Sequence, residues 1–343
     1  MNDPQSAYPD QAKRLMNGSP RSRTVFMFSG QGTQYYTMGL DFYRRHPGFK
    51  RVLNRCDEIA KPFLGASLVK LLYEGEGKDA PFERLLHSNP ALLAIQFSLA
   101  QVLREAGVRP DMALGYGLGE ITASVVAGLV GLDDAFRLVI GMARLIEDKA
   151  PAAKMISVFA APGSREAYPS MPADCWITAQ NFANCYVATG LPDSVDRLKE
   201  SLEASNTLWQ KLPVTYGFHT RLLDLIASEF KAMCAGIPLR RSSIPIVTAC
   251  RGWVLREPDE DYFWKIIRYP VEFDRAILGL LEMGDYVFVD ASPSGALATY
   301  LGDILPPDSA SVAVRIMNPF GLESDYLERL REPMGHPKGS RFP

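Results

Sequence analysis

The sequence of 343 residues is poor in the side chains that hold metals, with only four histidines and five cysteines. Cys56, Cys175, Cys185, Cys234 and Cys250 are scattered, with no C-x-x-C pair and no zinc-ligand spacing. That excludes a zinc finger or disulfide framework and points to free thiols in a reducing compartment. Long apolar runs are also lacking: no stretch approaches the ~20 residues of a membrane span. Residues 1–22 mix Pro, Ser, Asn, Lys and Arg without the apolar centre of a secretory signal. A cytoplasmic protein without membrane association is expected. Charge of one sign is missing too, since 37 Lys and Arg against 39 Asp and Glu leave a net −2. Bulk charge therefore gives no argument for binding nucleic acid. No internal repeat occurs. What is present, 47% hydrophobic and 22% charged residues, is the composition of a globular protein with ample core.

Apolar patterning predicts a strand over 24–28 that runs into the glycine turn "SGQGTQ". Helical patterns follow over 40–60 and 89–106, the second with Pro near its start and Gly just past its end. A strand at 111–115 leads into a second glycine turn, then helices over 119–129 and 132–148. Beyond this the texture changes. Strands are expected at 155–161, 175–182, 185–190 and 207–214, separated by helices near 164–169 and over 192–204. That βαββαβ order resembles the ferredoxin-like unit. Alternation then resumes with a helix over 218–236, a strand over 244–250, a helix over 271–284 and a strand over 286–292. The expected class is α/β, with a core over 23–148 and 214–325, an α+β insertion over 149–213, and flexible tails over 1–22 and 326–343.

The second glycine turn, "ALGYGLGEITA" at 113–123, carries the functional question. A dinucleotide-binding turn needs G-x-G-x-x-G, but Glu120 stands where the third glycine belongs. It also needs an acidic residue at the end of a second strand about 20 residues on, where a helix is expected here. A nucleophile elbow, G-x-S-x-G, fits Gly115, Tyr116, Gly117, Leu118 and Gly119 except that glycine holds the serine position. The strained backbone at such a tip tolerates glycine at least cost.

Five ordered segments carry a resemblance: "FSGQGTQYYTMG" (28–39), "GYGLGEITASVVAGLVGLDDAFRLV" (115–139), "VTYGFHTRLL" (214–223), "YPVEFDRAI" (269–277) and "FVDASPSGAL" (288–297). Over about residues 24–302 the chain resembles malonyl-CoA:acyl carrier protein transacylases and the acyltransferase domains of polyketide synthases. The resemblance implies an α/β-hydrolase-like core with an inserted ferredoxin-like subdomain. It also implies chemistry in which an elbow serine takes an acyl group from a thioester and passes it to the phosphopantetheine thiol of a carrier protein. By that resemblance Gly117 stands at the nucleophile position and His219 is the general base. The backbone N–H groups of Gln31 and Leu118 form the oxyanion hole. Met142, Tyr116, Asn181, Asn89 and Phe218 line the substrate pocket, although a strand-end cap explains Asn181 nearly as well.

The departures from the family pattern are informative. Asn89 replaces a glutamine before Pro-Ala-Leu, Tyr116 replaces a histidine, and "NFANC" replaces the usual Asn-Ser-Pro. Malonyl-selective members carry an arginine 25 residues after the nucleophile, and that count reaches Met142 here. Arg144, two helical positions on, should point the other way. The pocket is therefore expected to lack a carboxylate clamp. Two readings follow. One is an acyltransferase or acyl hydrolase acting on carrier-protein or CoA thioesters in polyketide or fatty-acid synthesis, with no bound cofactor or metal, a non-malonyl preference and a monomeric state. The other is a non-catalytic scaffold or regulator that binds acyl carrier protein. The Arg240–Arg241 pair is a candidate docking patch or a simple solvated pair.

Overall fold

The computed structural model describes residues 23–162, 171–250, 253–255 and 258–319. Both expected tails, and the expected helix near 164–169, lie outside these residues.

The apolar run after Arg23 forms β1 (Arg23–Phe28), and β2 (Met112–Gly115) lies beside it. Strands β3 (Lys154–Val158), β4 (Cys175–Phe182), β5 (Cys185–Gly190) and β6 (Trp209–Lys211) follow in the insertion. The chain then returns to the core with β7 (Ile246–Thr248), β8 (Trp253–Leu255), β9 (Val271–Glu272), β10 (Tyr286–Asp290) and β11 (Val312–Arg315).

Two sheets result. The larger has the order β11-β10-β1-β2-β7-β8, parallel except for the β7–β8 hairpin. Parallel strands covered on both faces need continuous apolar sequence, and Val25–Phe28 and Tyr286–Val289 are buried without alternation. The smaller sheet has the order β6-β3-β5-β4-β9. Its first four strands are mutually antiparallel, in the order expected of a βαββαβ unit.

Those strands alternate. Ile156, Val158, Tyr186 and Ala188 pack with Val195, Leu198 and Leu202 of helix Pro192–Ala204. Met155, Ala179 and Val187 belong instead to the main core cluster. The fifth strand, β9, comes from the core and pairs parallel to β4 (Ala179↔Val271, Gln180↔Glu272). Where the chain enters and leaves the insertion, Ala153 N–H donates to the Thr215 carbonyl and Ala152 bridges Tyr216.

The helices depart from expectation where local chemistry intervenes. The segment 40–60 is two helices, Leu40–Arg45 and Pro47–Leu64. Pro47 forces extended backbone at His46 (φ −110°, ψ 102°), whose ring then caps the second helix at Phe49 N–H. Helix Leu85–Glu105 begins earlier than expected and takes Pro90 inside it. Its start has no cap of its own; Leu86 N–H is satisfied by Glu147 of the neighbouring helix Leu132–Lys149. The segment 218–236 opens with a 3-10 turn (Arg221–Ile226) before helix Ala227–Cys234, and the segment 271–284 gives β9 before helix Phe273–Leu281. Helices Leu68–Tyr73, Tyr262–Arg268 and Ala296–Ile304 and strand β11 carried too little periodic sequence to be anticipated. No helix among the described residues is long and apolar enough to cross a membrane.

Phe288, fully buried in β10, is a direct probe of this core. Phe288→Ala should cost about 3–5 kcal/mol through lost burial and the cavity left behind, measured by urea unfolding.

Candidate active site

The parallel strands β1 and β2 end side by side, and both run into glycine turns. Backbone meets backbone there. A Cβ on Gly119 would lie 2.0 Å from the Phe28 carbonyl oxygen, and one on Gly115 would lie 2.2 Å from Glu120 Cα. A Cβ on Gly30 of the first turn would lie 2.7 Å from the Tyr116 carbonyl oxygen and 3.4 Å from Leu118 N. Only glycine fits at these three positions. The second turn then passes directly into helix Gly119–Val126.

Gly117 sits at the tip of the turn with φ +53°, in the left-handed region. Its ideal Cβ position points at His219, 3.2 Å from Nε2 and 3.5 Å from Cε1. His219 is itself left-handed, at φ +63°, a conformation that costs a histidine energy and needs support from its surroundings. Two carbonyls of one segment give that support: His219 N–H donates to Ile267, and Nδ1 lies 2.8 Å from the Tyr269 oxygen. A carbonyl can only accept, so Nδ1 carries the proton and Nε2 presents its lone pair to the elbow. Burial pushes the ring's pKa down to about 4, partly offset by the Tyr269 hydrogen bond, so the imidazole is neutral at pH 7.

Around this pair is a small cleft of about 30 Å³, lined by Gly30, Gln31, Tyr116, Gly117, Phe218 and His219 on the core side. Met155, Ala179, Val187, Leu212 and Val214 form the remaining wall. These five escaped sequence reasoning. The signal was alternation in the insertion strands, with 155, 179 and 187 on the face opposite the buried Ile156, Tyr186 and Ala188. No lining residue carries a positive charge.

The remaining anticipated residues take different places. Leu118 is buried at the start of the elbow helix. Neither its N–H nor that of Gln31 has a backbone acceptor among the described residues. Asn89 does not line the cleft; it accepts a hydrogen bond from Gln31 Nε2 (3.1 Å) and so holds the first turn. Asn181 also stands behind the wall, accepting from the Tyr116 hydroxyl (2.9 Å) while its Nδ2 faces Cys185 Sγ. Tyr116 is thereby fixed against Phe273, with ring centroids 6.0 Å apart. Met142 is corrected: it is fully buried in the helical layer and absent from the cleft wall, because its helix turns that face toward the core. Arg144 points outward and bonds the Phe63 carbonyl, as helical geometry requires. Among the described residues no group of His, Cys, Asp and Glu could hold a metal ion.

Residues 25–314 match the family model described as acyl transferase domain. The chain belongs to that family. It is 31% identical over 319 residues to the polyketide biosynthesis acyltransferase homolog BaeD of Bacillus velezensis, covering 93% of this chain and 98% of the relative. It is 33% identical over 304 residues to the homolog PksD of Bacillus subtilis, covering 88% and 94%. Among solved structures, a loading acyltransferase of the avermectin polyketide synthase superposes with TM-score 0.81 at 28% identity, covering 89% of this chain and 97% of that one. The MCAT of Streptococcus pneumoniae superposes with TM-score 0.74 at 25% identity, covering 90% and 100%. The chain is thus an acyltransferase-family protein of the polyketide biosynthesis type, with the family's α/β fold.

The buried ring makes a pH prediction. His219 binds a proton near pH 4 when folded and near 6.5 when unfolded, so the unfolded state holds more protons between these values. Stability from the neutral ring is complete above pH 6.5 and is lost as pH falls toward 4. The difference in unfolding free energy between this protein and His219→Gln should therefore shrink over that range. Imidazole nitrogen shifts in NMR should show the Nδ1–H tautomer still neutral at about pH 5.

Proposed function

We propose that this cleft receives acyl thioesters carried on the phosphopantetheine arm of an acyl carrier protein, or of CoA, during polyketide assembly, and that it favours uncharged acyl groups. The observation that carries the reading is the Gly117–His219 geometry. The tip of an elbow aims at a neutral imidazole 3.2 Å away, beside two amide N–H groups with no backbone acceptor, in an otherwise apolar cleft. That is the arrangement for attack on a carbonyl with the developing oxyanion held by amide donors. Gly117 occupies the place of the attacking serine of related acyltransferases. A chain with serine there would transfer the acyl group or release it to water, an editing role. The chain with glycine forms no ester.

The uncharged preference follows from the wall. A malonyl carboxylate would be buried against Met155, Val187, Leu212 and Val214 with no cation among the lining residues. An unpaired buried charge costs several kcal/mol, whereas acetyl or butyryl adds only apolar burial. The absence of a hydroxyl at Gly117 favours a second reading, a carrier-protein-binding scaffold without catalysis. Against it stands the strained His219, held in a conformation that simple binding does not require. Arg240 is engaged at the backbone, its N–H bonded to the Leu129 carbonyl, so the Arg240–Arg241 pair starts from an ordered position should it meet an acidic carrier protein.

Incubation with acetyl-CoA, butyryl-CoA and malonyl-CoA followed by intact-mass spectrometry should show no covalent adduct. Gly117→Ser should gain a single ester at residue 117, formed from butyryl-CoA at least about tenfold faster than from malonyl-CoA, given the cost of the unpaired carboxylate. A folded Gly117→Ser protein that acylates with no thioester would support the scaffold reading, and malonyl as the best donor would overturn the preference.

A further inference from the structure

The position that Gly117 leaves without a side chain is open to the cleft. A Cβ there would be 3.2 Å from His219 Nε2, so an oxygen at hydrogen-bond distance from that nitrogen lies within the space of the missing side chain. The cleft holds about 30 Å³, more than the roughly 10–15 Å³ that one water requires. The wall of Met155, Ala179, Val187, Leu212 and Val214 gives a water no partner, while the Nε2 lone pair offers an acceptor at this spot. We propose that a water molecule takes the place of the serine hydroxyl, and that the chain hydrolyses acyl thioesters directly, with no acyl-enzyme. This rests on the reading that acyl thioesters enter the cleft.

The step balances without any further reactant. The water oxygen forms a bond to the thioester carbonyl carbon while one of its protons moves to His219 Nε2. The carbonyl oxygen becomes an oxyanion facing the Gln31 and Leu118 N–H groups. Collapse of this intermediate breaks the carbon–sulfur bond, and the proton on Nε2 passes to the departing thiolate. A carboxylic acid and a free phosphopantetheine thiol result. The Tyr269 carbonyl keeps the proton on Nδ1 and so stabilises the imidazolium that exists between the two transfers. The low basicity of the buried ring and the looser hold on a water make the reaction slower than that of a serine enzyme. Triad enzymes stripped of their nucleophile retain about 10³–10⁴-fold acceleration over water from the oxyanion hole and binding.

The probe is butyryl-loaded acyl carrier protein in ¹⁸O-water, with thiol release followed over time, the acid analysed by mass, and the protein by intact mass. Hydrolysis about 10³-fold above buffer is expected, with one heavy oxygen in the butyrate and no adduct on the protein. Gly117→Ala puts a methyl where the water would sit, and His219→Gln removes the base; each should lower the rate, His219→Gln by about 10²-fold. Alanine is strained at this left-handed position, so folding of both variants is checked by thermal unfolding, and His219→Gln alone suffices if the alanine variant fails to fold. Binding is measured separately with a carrier protein bearing a butyryl amide, which cannot hydrolyse. Buffer-level hydrolysis with binding intact overturns the direct-hydrolysis step only. So does a covalent butyryl adduct, or a rate unchanged in the folded variants. Absence of binding overturns the underlying reading as well.

Discussion

Everything at this site depends on two glycine turns meeting backbone to backbone. The Gly119 Cα lies so close to Phe28, and the Gly30 Cα so close to Tyr116, that no side chain fits between them. This contact is what the parallel register of β1 and β2 leads to, with Phe28 opposite Gly115 at the ends of the strands. Once made, it brings the first turn against the second, with the Gly30 Cβ position 3.4 Å from Leu118 N. Hydrogen bonds hold it from behind: Tyr116 N–H donates to the Phe28 carbonyl, and Gln96 Nε2 to the Ser29 carbonyl.

The histidine arrives from elsewhere in the chain and is positioned by a third segment. Residues 267–269 supply both carbonyls that hold His219, and two residues later the same segment becomes β9, the edge strand of the insertion sheet. Glu272 N–H also bonds the Ala249 carbonyl next to β7. One short stretch thus ties His219, the core sheet and the insertion together. The geometry of His219 is in this way coupled to the wall of the cleft, which the other face of the insertion sheet provides. The buried Glu120, pushed up to about 8 by burial, accepts from Thr248 Oγ1 and Cys250 N–H and secures β7 against the elbow helix.

Glycine at the tip and a retained strained histidine make an unusual pair. His219 is held at φ +63° with two carbonyls of one segment arranged around it. What the site contains is a buried imidazole, two amide N–H groups without a backbone acceptor among the described residues, and an apolar wall. What differs is the tip of the elbow, where Gly117 carries no hydroxyl.

The amino-acid sequence by itself determined the α/β class, the strands of the smaller sheet and the glycine elbow, because these rest on local signals, whereas His219 was singled out only through the resemblance to acyltransferases. Continuous apolar runs in β1 and β10, alternation in β3 to β5, and glycines at positions where a Cβ collides are all properties of a short window. Tertiary structure decided the rest. Helix Leu85–Glu105 starts where Glu147 of another helix caps it, a partner 61 positions away in the chain. The place of Met142 followed from which face of its helix the core buried, and counting residues from the nucleophile position does not contain that information. Asn89 and Asn181 bear on the cleft through Gln31 and Tyr116, contacts that form only when distant segments pack. The cleft wall itself is made by strands of the insertion folding back over the core, so its lack of a cation is a property of the assembled surface and not of any one motif.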